Sequence, residues 1–293
     1  MTPYNYATQT AKELVYKHMK LNDIKSKYYT YHSFFDYYSK ELDIITIGSK
    51  LHKSISGFSI IDDNNFPSIF YQKDHSIPRQ NFTKCHELGH LLLGHEGHTF
   101  TDDNINPIIE YEANYFASFV LAPDIVLLYK ITYENQNFKT ILNDLDISKD
   151  CLLIRLSHLL KNYTNLNSQE IELIVTDFQS NKNKDISLSL SQFKDNIILD
   201  YHKIIPTNLD KAYYRLNKNH FITSLEINEL INNNFQKQLL EKNKNLHFDS
   251  YFNYGQNVFY SWDNNFLNSK QALKNVKNVQ FDNHFFQKNK LGN

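Results

Sequence analysis

Apolar side chains at Ala11, Leu14, Val15 and Met19 recur at helical spacing, so residues 11–20 are predicted to form an amphipathic helix, with a second packing helix over 33–42. That period then breaks. Residues 43–48, 57–61 and 67–71 are short, β-branched or aromatic, and bounded by Gly, Asp-Asn or Pro, the pattern of a small sheet. From Asn81 to His95 the apolar positions Phe82, Cys85, Leu88, Leu91 and Leu92 return to steps of three or four, which marks an amphipathic helix. Pro107 suits the first turn of the next helix, which should stop before Pro123. Further helices are expected over 124–133, 138–144 and 149–161, the last capped by Ser148. The pair 138–144 and 149–160, joined by a short turn, has helix-turn-helix proportions, a pattern that most often reflects packing alone.

The polar stretch Ser180–Asp185 separates two apolar runs and reads as a linker near a domain boundary. Beyond it, 186–190 and 197–205 read as strands, 225–240 as a helix, and 248–254 with 258–262 as a hairpin around Gly255. The pattern therefore predicts an α+β protein in three parts. Residues 1–135 hold a small sheet and a motif-bearing helix, 136–180 form a helical, helix-turn-helix-like segment, and 185–293 form an α+β accessory domain of unassigned role.

Charge narrows the function classes. Thirty-one basic and 32 acidic side chains leave a net charge of −1, so the chain lacks the bulk field of a nucleic-acid coat or a polybasic membrane binder. Two cysteines, Cys85 and Cys151, cannot make a disulfide framework and fit a reducing compartment, which points to the cytoplasm. The N-terminus has no basic segment followed by an apolar core, and no apolar run approaches the length of a membrane span. The histidines, by contrast, are unevenly spread: His75, His86, His90, His95 and His98 crowd into one short stretch.

Within that stretch His86, Glu87 and His90 form H-E-x-x-H. On a helix, positions i and i+4 share a face, so two imidazoles can reach one metal ion while Glu87 addresses the water beside it. In a chain of this composition the motif is expected by chance only about 0.02 times. A hydrolytic zinc site needs a third protein ligand and an open position. The metzincin continuation fails, because Leu93 and Glu96 stand where its glycine and third histidine would be. Glu110 and Glu112 on the following helix are the alternatives, roughly 200° apart, so at most one can face the metal. Asn114 lies one turn beyond Glu110, placed to hold a ligand histidine in its metal-binding tautomer, whereas Glu112 lacks such a neighbour. Glu110 is therefore the expected third ligand and Asn114 its supporting residue. Cys85 should point away from the metal as a buried thiol.

The stretches RQNFTKCHELGHLLLGH (Arg79–His95) and EYEANYFASFVLAP (Glu110–Pro123) resemble the ImmA/IrrE metallo-endopeptidases, with a weaker echo in ISKDCLLIRLSHL (Ile147–Leu159). Coverage is roughly residues 10–162. Two positions depart from the family's pattern, Cys85 and the triplet Val120-Leu121-Ala122. The resemblance implies a zincin-like peptidase domain with His86, His90 and Glu110 as Zn2+ ligands and Glu87 as catalytic base. It also implies a protein substrate, a helix-turn-helix repressor of a mobile element or stress regulon.

An oxyanion donor is also required, and His95, His98, Tyr111 and Tyr115 are the candidates, with His95, His98 and His75 equally readable as surface residues. In such architectures the substrate pairs with an edge strand, here expected to be residues 67–71. Two other readings compete. One is a regulator that binds a repressor or DNA through residues 138–160 and keeps the metal for structure. Its second helix offers only Lys149, Arg155 and Lys161 as cations, so direct DNA binding is not expected. The other is a ligand-gated sensor in the C-terminal half, with the aromatic run 251–262 lining a pocket. Core packing of those aromatics is the plainer expectation.

Overall fold

A computed structural model describes residues 3–95 and 107–290, which divide into two compact units, 1–205 and 206–293. In the first unit, α1 (Pro3–Leu21) buries Ala7, Ala11, Val15 and Met19, one residue per turn, and the small alanines let a neighbouring helix approach. α2 (Tyr31–Glu41) buries Phe34 and Tyr38 on the same principle. Three strands follow: β1 (Ile45–Ser49), β2 (Gly57–Ile61) and β3 (Pro67–Gln72). β1 runs parallel to β3 and β2 antiparallel to it, giving the order β1-β3-β2 with Ser59 opposite Ile69. The strand over 67–71, expected at an edge, is therefore the central one. β2 is an edge, and it packs on α3 (Ile77–Leu93) together with β3.

Two glycines set how closely α3 is approached. A Cβ on Gly57 would lie 2.3 Å from the Thr83 methyl and 2.6 Å from the Phe70 carbonyl oxygen, so only glycine lets β2 sit this close. On α3 itself, a Cβ at Gly89 would meet the Phe116 ring at 3.1 Å. Phe116 belongs to α4 (Pro107–Leu121), which packs against both α3 and α1. The chain then turns at Pro123 into α5 (Asp124–Leu128), extended by one π turn over Tyr129–Tyr133. This most apolar stretch is buried, and among the described residues no single helix is long and apolar enough to cross a membrane.

α6 (Phe138–Leu145), capped by Asn137, and α7 (Lys149–Tyr163), capped by Ser148, follow where their periodicity predicts. They are not a separate module. Phe138, Ile141, Leu152, Leu156 and Leu159 share one continuous core with Leu88 and Phe116. Arg155, counted above among possible DNA contacts, is buried and bonded to Asp124. α8 (Ser168–Gln179) opens on an Asn167/Glu170 capping box.

Residues 184–203 are a single helix, α9, where two strands were expected. The alternation in ISLSL suggests a period of two, but the positions that are buried, Ile186, Leu190 and Ile197, step by four and seven and belong to a helical face. α9 packs on α5, α7 and α8. The expected linker at Ser180–Asp185 is instead a tight turn with Asn181 at φ 65°, and the division between units falls at Ile205/Pro206.

The second unit comprises α10 (Asn208–Asn219), β4 (Phe221–Thr223), α11 (Asn233–Lys242), β5 (Leu246–Asn253), β6 (Gln256–Asp263) and α12 (Ser269–Lys290). Its antiparallel sheet has the order β4-β6-β5. Tyr254 and Gly255 both have positive φ, the two-residue turn that matches strand twist. Ala212, Leu216, Ile222 and Leu239 form one core layer, and Val258, Tyr260, Trp262, Ala272 and Val276 the other. In the aromatic run 251–262, Tyr260 and Trp262 are buried and Tyr251 packs against them, while Phe252 and Tyr254 are exposed; the helix expected over 225–240 is a 3-10 turn at Asn228–Ile231 followed by α11.

Candidate metal centre

α3 presents His86 and His90 one turn apart, and α4 crosses it so that Glu110 arrives opposite both. Their Nε2 atoms are 3.0 Å apart. Glu110 Oε2 lies 3.2 Å from His86 Nε2 and Oε1 lies 3.2 Å from His90 Nε2. One ligand atom from each residue falls within 4.8 Å of the others, a spacing that could hold a metal ion. His90 is fully buried while the Glu110 side chain keeps 26% of its surface, so the cluster is closed on the protein side and accessible on the other.

The donor chemistry fits a metal. Asn114 Oδ1 lies 3.0 Å from His86 Nδ1. An amide oxygen only accepts, so Nδ1 carries the proton and the Nε2 lone pair is free to face the cluster. Glu110 could close the site with a hard oxygen donor, giving the two-histidine, one-carboxylate set of hydrolytic zinc centres. The two imidazoles that face it hold the Glu110 carboxyl well below the ordinary carboxylate range. Burial works to lower His86, but the neighbouring carboxylates of Glu110 and Glu87 outweigh it and the imidazole is raised; at His90 burial prevails.

Glu87 is buried beside the cluster, and burial pushes its carboxyl up to about 7 against the opposing effect of its bond from Ser59. That bond is short: Ser59 Oγ donates to Glu87 Oε2 at 2.8 Å from the middle of β2. Sequence reasoning missed Ser59. Its only local signal is a polar side chain in the apolar strand GFSII, and the contact spans 28 residues.

The second carboxylate of the E-Y-E triplet has a partner that spacing on one helix did not reveal. Glu112 Oε2 lies 3.0 Å from His95 Nε2, and His95 Nδ1 lies 2.9 Å from His90 Nδ1. His95 is accordingly no surface residue: its side chain is 5% exposed. The cause is Gly94, which ends α3 at φ 70° and folds the next residue back, with His95 N–H donating to the His90 carbonyl at 3.1 Å.

The other expected participants separate. Tyr111 is 58% exposed on α4. Tyr115 packs its ring on that of His158 at 5.5 Å. His75 lies in the turn before α3, where its carbonyl accepts from Gln80. Glu96, His98 and the rest of residues 96–106 lie outside the described residues. Cys85 is buried in the main core, and burial raises its thiol far above the ordinary value.

Comparison with known proteins agrees with this geometry. The family described as the IrrE N-terminal-like domain, peptidase M78, matches residues 39–157, about two fifths of the chain and less than the 10–162 expected. No curated protein and no solved structure matches it. The matched span runs from the end of α2 to α7 and contains β2, α3, α4 and every residue of the cluster, so over residues 39–157 the chain matches the metallopeptidase domain of the ImmA/IrrE family.

Proposed function

We propose that the protein is a zinc-dependent endopeptidase of restricted specificity that cuts an extended segment of a cytoplasmic protein, a helix-turn-helix repressor being the expected substrate. One observation carries the reading: His86, His90 and Glu110 converge on one point while Glu87, held by Ser59, stands beside them. His86, His90 and Glu110 would be the ligands. When bound there, the ion supplies Lewis acidity, polarising the scissile carbonyl and bringing the pKa of water toward neutrality.

Glu87 takes the proton of the attacking water and returns it to the leaving nitrogen, as a general base and then a general acid. The Ser59 hydroxyl keeps the Glu87 carboxylate in one orientation during both transfers. Burial supports the exchange, because a carboxyl withdrawn from water holds a proton more readily than an exposed one. The substrate segment pairs with β2, the edge strand that carries Ser59, in place of the central strand 67–71. Main-chain pairing selects for unfolded or locally opened segments.

Direct DNA contact is not part of this reading, since Arg155 is committed to the core. Both cysteines are free and buried, in keeping with a reducing compartment. The repressor class rests on family resemblance alone. The test is incubation of zinc-loaded wild type and Glu87→Gln with a helix-turn-helix repressor encoded beside the gene, with products read by mass spectrometry. A discrete cut by wild type alone is expected; equal cutting by Glu87→Gln, or none by either, rejects the proposal.

A further inference from the structure

We propose that Glu112 and His95 are positioning residues for the metal: Glu112 fixes the tautomer of His95, and His95 in turn holds His90 with its Nε2 lone pair toward the ion. This deepens the metal reading above and rests on it.

The chain of contacts leaves little freedom. A carboxylate oxygen accepts, so across the 3.0 Å contact His95 Nε2–H donates to Glu112 Oε2. Only one of the two facing Nδ1 atoms can hold the proton between them, and with His90 turning Nε2 to the ion, His95 Nδ1 is the acceptor. Across the 2.9 Å contact the donor must be His90 Nδ1–H, and His90 Nε2 is left with a lone pair facing Glu110 and His86 Nε2. The same result is reached at His86 in one step, through Asn114. The two ligand histidines are thus oriented by different devices, an amide for one and a carboxylate–imidazole pair for the other.

Burial argues for function over incidental packing. His95 and Glu112 side chains keep 5% and 13% of their surface, and a buried polar pair is tolerated only when its bonds are made. Both ends are held by regular structure, Glu112 by α4 and His95 by the Gly94 turn. The carboxylate–histidine arrangement also raises the basicity of the ligand imidazole it addresses.

The experiment uses the full-length chain in two measurements. Zinc affinity by competition with a chromophoric chelator should fall about 10- to 100-fold in Glu112→Ala and His95→Leu, the range for loss of an outer partner of a metal-bound histidine. His95→Gln should stay within about threefold of wild type, because its carbonyl can accept from His90 and its amide can donate to Glu112. A long-range proton–nitrogen correlation spectrum of the zinc-loaded wild type should give His95 as the neutral Nε2–H tautomer, a preference that Glu112→Ala removes.

The proposal is overturned by a His95 that is protonated or Nδ1–H in wild type. It is equally overturned if the Leu and Ala variants match wild-type affinity, or if Gln is as weak as Leu. The wild-type tautomer decides even where a variant fails to fold. Absence of zinc binding by wild type rejects the metal reading itself, and the His95 tautomer read in metal-free protein then reports on the pair alone.

Discussion

Replacing Arg155 by Met keeps most of the side-chain volume and removes a guanidinium that is 1% exposed. That group donates Nε to the Ala122 carbonyl at 3.0 Å and Nη2 to Asp124 Oδ1 at 2.5 Å, and it lies 5.0 Å from the centre of the Phe119 ring. Without it, a fully buried Asp124 keeps, among the described residues, Lys12 at 3.6 Å and the Tyr163 hydroxyl at 3.4 Å. Breaking a buried pair typically costs 3–5 kcal/mol, and since Lys12 still offsets part of the charge, a loss of about 3 kcal/mol is expected. The double variant Arg155→Met/Asp124→Leu leaves no buried charge orphaned and should lie within about 1 kcal/mol of wild type. Urea denaturation at pH 7 followed by far-ultraviolet circular dichroism measures both. A single variant less than about 1 kcal/mol below wild type, or a double variant no better than the single, refutes the reasoning. The contact matters for the site because it pins the end of α4, the helix that delivers Glu110 and Glu112.

Other expectations follow from local geometry. Gly57→Ala forces a methyl against the Phe70 carbonyl and should destabilise by about 2–3 kcal/mol, with Thr83→Ser in the same chain restoring only part, since the backbone clash remains; full recovery in a thermal melt would contradict this. Burial lowers the His18 imidazole to about 4, so between pH 6.5 and 4 the unfolded chain takes up a proton that the folded chain refuses. Stability should therefore fall with pH across that window by up to about 3 kcal/mol, and His18→Gln should flatten the slope; an unchanged slope in urea titrations from pH 7 to 4 would count against it. Ser59→Ala removes the donor to a buried carboxylate and should cost about 2 kcal/mol while leaving zinc affinity unchanged, and a variant as stable as wild type would show the bond idle.

Much of the candidate metal centre was legible because its parts are local. His86, Glu87 and His90 are set by helix geometry, and Glu110 with Asn114 by the same rule on the next helix. What was hidden depends on pairing across the fold. Ser59 meets Glu87 only because β2 is laid on α3 at Gly57, and His95 meets Glu112 only because Gly94 reverses the chain. The order of strands failed for a similar reason: the pattern of 67–71 fits an edge or a central strand equally, and the parallel partner β1 decides. At α9 a local alternation outweighed the longer helical step of Ile186, Leu190 and Ile197, and that misreading moved the domain boundary by about twenty residues.

Zinc stoichiometry tests the proposed site most directly. Elemental analysis after dialysis against limiting zinc should give one ion per chain for wild type and for Glu87→Gln, and none for His90→Ala or Glu110→Ala. Wild-type protein without zinc, or a full complement in either ligand variant, would contradict the assignment of His86, His90 and Glu110 as the metal centre.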